Sequence, residues 1–113
     1  MTVKELAEQL NLTELSGCTE DSMYAEVEGC YIGDLLSWVM GRANEGDAWI
    51  TVMGNINAVA VASLTGCACI ILAEDASLDD DARSKSDSLE IPILSSELPA
   101  YHLAAEICKK FNL

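Results

Sequence analysis

The sequence predicts an α/β fold: a small three-layer domain with a mainly parallel sheet built from repeated strand-turn-helix units. Three observations carry this expectation. From Ala48 onward one theme repeats three times, an apolar strand, a short polar turn and a helix, and such alternation favours parallel pairing through right-handed crossovers. Half of the residues are hydrophobic, as a packed core requires. The 113 residues fit one domain, and no linker, repeat or low-complexity tract sets off a second.

Taken in order, Thr2 and Glu5 form a capping-box pattern, and Val3, Leu6, Ala7 and Leu10 recur behind them at helical spacing. Residues 12–16 read as a short extended piece ending at Gly17, and residues 18–23 as a polar connection. Residues 24–32 alternate loosely around Gly29, which inside a strand marks a bulge or a close backbone approach. Gly33 turns the chain, and Asp34 is the predicted N-cap of a helix whose apolar face is Leu35, Leu36, Val39, Met40 and Ala43. The repeated units place strands at residues 49–53, 69–73 and 91–94. Their helices are Ile56–Thr65, 78–89 and 97–111. The first of these is apolar nearly all round and is expected to be buried on both sides.

Six basic residues against nineteen acidic ones give a net charge of −13, a field that repels phosphate backbones and anionic lipid surfaces. Nucleic acid and membrane are therefore not expected partners. The longest apolar stretch falls far short of the roughly 20 residues a bilayer crossing needs. Met1 opens a polar segment without a secretory pattern, so a cytoplasmic location is expected. Five cysteines without such a signal point to reduced thiols. Cys67 and Cys69 would share one side of a strand starting at Cys67, the one spacing that could seed a metal or redox site.

In a parallel sheet the loops after the strands share one edge, where the N–H groups of the following helices are exposed. Here those loops carry Gly54, Asn55 and Asn57; Glu74 and Asp75; and Ser95 and Ser96. Neutral hydrogen-bonding groups beside carboxylates suit a polar small molecule better than a polyphosphate. Asn55 and Ser96 also read as ordinary helix caps. No Gly-x-Gly-x-x-Gly or P-loop pattern is present. The single histidine, His102, sits mid-helix with no nucleophile in pattern, so no catalytic set can be assembled.

The run Val27-Glu28-Gly29-Cys30-Tyr31-Ile32-Gly33-Asp34-Leu35-Leu36-Ser37 resembles the glycine-containing segment that names the DRTGG domain family. In that family a Gly-Gly-Tyr-x-x-Asp-Leu-Leu-Ser type sequence precedes a Gly-Asp strand, to which Gly46-Asp47-Ala48-Trp49-Ile50-Thr51 is similar. The similarity runs on through Gly54-Asn55, Ile70-Ile71-Leu72-Ala73-Glu74 and Ile91-Pro92-Ile93-Leu94-Ser95-Ser96. Residues 1–113 thus resemble a single DRTGG domain. Two positions depart from the pattern: Asp21-Ser22 stands where Asp-Arg is expected, and Cys30 replaces the second glycine.

The resemblance implies a fold related to the N-terminal domain of HPr kinase/phosphorylase and, more distantly, of Mur ligases. It also implies regulation, because DRTGG domains accompany CBS domains in regulated pyrophosphatases and form an accessory region of some phosphotransacetylases. Stand-alone members occur in anaerobic bacteria near redox-enzyme genes, which implies a partner enzyme.

The expected function is a non-catalytic regulatory or interaction module that forms a homodimer and takes a small polar or phosphorylated effector. Gly54, Asn55, Asn57, Ser95 and Ser96 are its expected ligand-binding residues. Gly29, Tyr31, Asp34, Leu35 and Trp38 are its expected interface. No cofactor and no metal are expected. The alternative is a cysteine-based redox or metal accessory protein of an anaerobic redox enzyme system, using Cys67 and Cys69.

Overall fold

The capping box at Thr2 is formed in full: the Thr2 hydroxyl accepts from the Glu5 N–H at 3.2 Å, and the Glu5 carboxylate accepts from the Thr2 N–H at 3.1 Å. In the computed structural model, which describes Met1–Leu113, this box opens helix α1 (Val3–Gln9). The chain continues through β1 (Thr13–Ser16), α2 (Glu20–Met23), β2 (Gly29–Ile32), α3 (Leu36–Arg42) and β3 (Asp47–Thr51). It ends with α4 (Ile56–Thr65), β4 (Cys69–Leu72), α5 (Asp80–Leu89), β5 (Ile93–Ser95) and α6 (Ala100–Phe111).

The five strands form one sheet in the order β1-β5-β4-β3-β2. The three strands of the repeated units pair in parallel, Trp49 beside Ile70 and Ile70 beside Ile93, as the strand-turn-helix pattern predicts. β2 adds in parallel beyond β3, with Tyr31 opposite Trp49. The extended piece before Gly17 is β1, which runs antiparallel along β5 with an irregularity between Glu14 and Ser16.

Two cores, one on each face of the sheet, make the three layers. Helices α1, α2 and α6 bring Leu6, Leu10, Met23, Leu103 and Ile107 onto Ala48, Ile50, Cys69, Ile71 and Leu94. Helices α3, α4 and α5 bring Val39, Ala58, Val59, Ala62 and Ala82 onto Trp49, Ile70, Leu72 and Ile93. Trp49 is fully buried, and its indole N–H donates to the Gly33 carbonyl at 2.9 Å, so its one polar atom is satisfied.

Several local expectations are corrected. The polar connection before Tyr24 contains α2, held by a second capping box between Thr19 and Ser22. Of the predicted bent strand only Gly29–Ile32 joins the sheet, without a bulge, while Glu26 makes an isolated antiparallel bridge to Thr2; Gly29 instead marks a close approach, since a Cβ there would lie 2.7 Å from an Asp47 carboxylate oxygen. Asp34 is not a helix cap, because α3 begins one residue later with Leu35 in the cap position. α6 starts at Ala100 behind Pro99, so Ser96 does not cap it either. Helix α4 buries its sheet-facing side only, leaving Leu64 and Ile56 exposed. The strand after α4 begins at Cys69, as predicted, so the condition under which Cys67 and Cys69 would share a side is not met, and the two thiols pack into opposite cores.

Candidate functional site at the carboxyl edge of the sheet

The helices that follow β2, β3 and β4 all pack on one face of the sheet, whereas the helix that follows β5 packs on the other. Adjacent strands whose connections leave toward opposite faces open a crevice between their carboxyl ends, the usual place for a ligand in such sheets. This reversal falls between β4 and β5. A cavity of about 330 Å³ lies there, lined by Leu10, Asn11, Thr13, Asp75, Ser95, Ser96, Glu97 and Leu98.

Each wall has a local cause. Ser95 is the last residue of β5 and stands opposite Thr13, so the antiparallel β1 brings its hydroxyl to this edge. Asn11 sits at φ 54°, a left-handed conformation that Asn tolerates better than most residues, and it turns the chain from α1 into β1. The loop after β4 carries Glu74 and Asp75 in succession at φ 56° and 52°. Two adjacent non-glycine residues there cost of order 1–3 kcal/mol each and persist only where neighbours hold them. The Glu74 N–H donates to the Leu98 carbonyl at 3.1 Å and the Asp75 N–H to the Ser96 carbonyl at 2.9 Å. The Ser96 hydroxyl accepts from the Leu98 N–H at 3.1 Å. The two loops therefore form one latched rim.

Of the five residues predicted to bind a ligand, Ser95 and Ser96 line this cavity, and Gly54, Asn55 and Asn57 do not. Asn55 caps α4 by accepting from the Ala58 N–H at 2.9 Å. Gly54 is pressed against the next loop: a Cβ there would stand 1.9 Å from the Ser77 carbonyl oxygen, and its own carbonyl accepts from the Asp79 N–H at 2.8 Å. Asn57 is exposed on the first turn of α4. Asn11 and Thr13 were not anticipated, because their place depends on the β1–β5 pairing; the hint in the sequence was an Asn directly after an amphipathic helix.

Asp75 and Glu97 are the only charged side chains on the cavity wall, and no lysine or arginine joins them. The wall offers hydroxyls, an amide and carboxylates. Such a set accepts hydrogen bonds from hydroxyl or ammonium groups and opposes phosphate.

The five predicted interface residues fall on the edge strand β2 and on the turn and helix that follow it. Gly29 and Tyr31 lie on that strand; Leu35, which caps α3, and Trp38 within it are 58 % and 55 % exposed. The Arg42 guanidinium stacks 3.9 Å above the Trp38 ring. Asp34 is turned toward the end of β3, its carboxylate accepting from the Thr51 hydroxyl at 2.8 Å and from the Val52 N–H at 3.0 Å. On the opposite side of β2, Cys30 and Ile32 line a mainly apolar groove of about 320 Å³ with Ala104, Ile107, Cys108 and Leu113 of the C-terminal segment.

Desolvation pushes the Cys18 and Cys30 thiols up to about 11, assisted by the Glu14 and Asp47 carboxylates respectively. Burial likewise raises Cys69 and Cys67, against a lowering contribution from the Thr65 hydroxyl at Cys67. Thiols held protonated are poor nucleophiles and poor ligands at neutral pH. His102 stands on the exposed side of α6, edge-on to the Tyr101 ring. No helix is long and apolar enough to cross a membrane.

No protein-family model matches the sequence, and no curated protein matches it. Among solved structures, the chain is similar to the CBS and DRTGG domains of the regulatory region of Clostridium perfringens pyrophosphatase, a structure complexed with the activator diadenosine tetraphosphate. The TM-score is 0.76 over 94 % of this chain, at 9 % sequence identity. In fold, the chain is DRTGG-like. It spans 45 % of the pyrophosphatase chain, so the likeness concerns one part of a larger regulatory assembly. The fold expected from the Gly29 to Ser37 run is thus the observed one, although the arginine and second glycine of the family pattern are absent.

Proposed function

We propose that this DRTGG-like domain is a non-catalytic regulatory module that binds a small polar effector in the β4/β5 crevice and acts, as a homodimer, on a partner enzyme in the cytoplasm. The observation that carries the effector site is the reversal of helix face between β4 and β5, which opens a polar cavity at the carboxyl edge. The likeness to a pyrophosphatase regulatory region with a bound activator supports a regulatory reading. The acidic wall selects among effectors: a hydroxyl-rich or amine-bearing molecule meets Thr13, Ser95, Ser96, Asp75 and Glu97 favourably, whereas a polyphosphate meets two carboxylates and a net charge of −13.

The dimer reading is supported by the exposed apolar residues Ile32, Leu35, Trp38 and Met40 around the free edge of β2. The thiol-based alternative is weakened by the placement of Cys67 and Cys69 in opposite cores.

A thermal-shift screen of nucleosides, polyols and amino sugars against their phosphorylated counterparts tests the effector site, because a ligand of the folded state raises its melting temperature. We expect a shift from an unphosphorylated member that Thr13→Val removes. A shift from phosphorylated compounds alone, or one that Thr13→Val leaves intact, would overturn the site. Light scattering tests the dimer: a mass twice 12.1 kDa is expected, and 12.1 kDa at every concentration would refute it.

A further inference from the structure

β2 ends the sheet, and its outer side is unguarded. Natural edges are blunted by charges, prolines, bulges or a covering element, since a bare row of N–H and C=O groups recruits another strand. Gly29–Ile32 carries no charge and no proline, and pairs with β3 without a bulge. The Gly33 N–H donates inward to the Ile50 carbonyl at 3.2 Å, so backbone alternation turns the polar groups of Gly29 and Tyr31 toward β3 and sends those of Cys30 and Ile32 outward.

Electrostatics restricts what can dock there. Residues 29–43 hold one carboxylate, Asp34, and one guanidinium, Arg42, in a chain of charge −13. Asp34 is engaged by Thr51 and Val52, and Arg42 by the Trp38 ring. The adjoining Glu28 side chain lies against Gly46, just before β3, and an antiparallel pairing centred on Cys30 sets it across from the partner's Ile32 and not from a second carboxylate. This is the neutral stretch on which two such acidic chains can meet without repelling each other.

We infer that two copies join through their β2 strands, antiparallel about a two-fold axis centred on Cys30, to make one continuous ten-stranded sheet. The inference rests on the dimer reading above and specifies its contact. The register follows from the outward groups. With the two-fold axis at Cys30, Cys30 exchanges hydrogen bonds with the partner's Cys30, and each Tyr31 ring stands across from the partner's Gly29, which has no side chain to obstruct it. The two Cys30 Cα atoms of this hydrogen-bonded pair then stand about 5.5 Å apart. Disulfides form across Cα separations of about 4.4–6.8 Å, so this contact is open to direct chemical test.

The experiment is mild copper–phenanthroline oxidation of the intact chain, followed by non-reducing electrophoresis. A covalent dimer is expected from the wild-type protein and from Cys108→Ser, and none from Cys30→Ser. In a Cys30→Ser background, Ile32→Cys supplies an equally accessible thiol whose partner copy lies about 13 Å away along the strand in this register. It should cross-link about tenfold more slowly or less, since only collision between dimers brings the thiols together. Equal rates for the two thiols, or a dimer by light scattering that does not cross-link through Cys30, would overturn the β2 contact and leave the dimer reading standing. A monomer at every concentration would overturn both.

Discussion

The Asp34 carboxylate accepts a hydrogen bond from the Thr51 hydroxyl at 2.8 Å and thereby ties the turn after β2 to the end of β3. The Val52 N–H, the first backbone donor beyond β3, shares the same oxygen. Hydrogen bonds to charged groups contribute about 1.5–3 kcal/mol where buried, and Asp34 is exposed, so the lower part of that range applies. Asp34→Ala should cost about 1–2 kcal/mol in urea unfolding. Thr51→Val in the Asp34→Ala background should add less than Thr51→Val alone, because the two changes remove one shared contact.

Ser16 and Ser86 form a hydroxyl pair buried between β1 and α5, and the pair supplies the partner that a polar group in that position requires. Ser86→Ala leaves the Ser16 hydroxyl buried without its partner and should destabilise by about 1–3 kcal/mol. The double variant Ser16→Ala with Ser86→Ala should recover most of the loss. Chemical denaturation of the three variants checks this, and a double variant as unstable as the sum would contradict it.

The caps show what was legible in the sequence and what was not. Thr2-x-x-Glu5 and Asn55 could be read because both their partners lie within three residues, and Asn55→Ala should cost about 1 kcal/mol. Asp34 and Ser96 are equally good cap residues by type, yet long-range contacts place them elsewhere: Asp34 reaches Thr51, and the Ser96 carbonyl holds Asp75. Ser96→Ala removes only a local turn contact and should cost less than Asn55→Ala.

The same division holds at the level of the sheet. The parallel strands were legible because each repeats with its own helix. The antiparallel return of β1 was not, and with it went Asn11 and Thr13, two of the six polar residues on the cavity wall. The strand start at Cys69 was legible, but the layer Cys67 enters was not, because strand alternation does not govern a residue that lies before the strand.

The thiols give the protein an alkaline limit. Cys18 and Cys30 are raised by desolvation from an ordinary value of 9.0 to about 11. The folded chain therefore holds these protons more tightly than the unfolded chain. Their contribution is complete below about pH 9 and is lost as pH rises toward 11, because the unfolded state releases its protons first. Thermal melts under reducing conditions should be flat with respect to these groups between pH 7 and 8.5 and fall above pH 9. Cys18→Ser with Cys30→Ser should flatten part of that decline.

Gly54 and Gly41 make opposite predictions from the same substitution. At Gly54 the added methyl would stand 1.9 Å from the Ser77 carbonyl oxygen and 3.1 Å from the Leu78 Cα, both backbone atoms that cannot swing aside. The loop after β3 must then separate from the loop after β4, breaking the hydrogen bond from the Asp79 N–H to the Gly54 carbonyl. Overpacking of this kind costs about 1–3 kcal/mol, and the lost hydrogen bond adds to it. Gly41 lies in α3 with no heavy atom within 4 Å of the new methyl, and alanine is preferred to glycine in a helix by about 1 kcal/mol. Gly41→Ala should thus raise the midpoint of urea unfolding while Gly54→Ala lowers it. The comparison is best made at fixed protein concentration, because α3 flanks the proposed dimer contact. If Gly54→Ala were tolerated as well as Gly41→Ala, the close packing of these two loops, and with it the shape of the carboxyl edge, would be wrong.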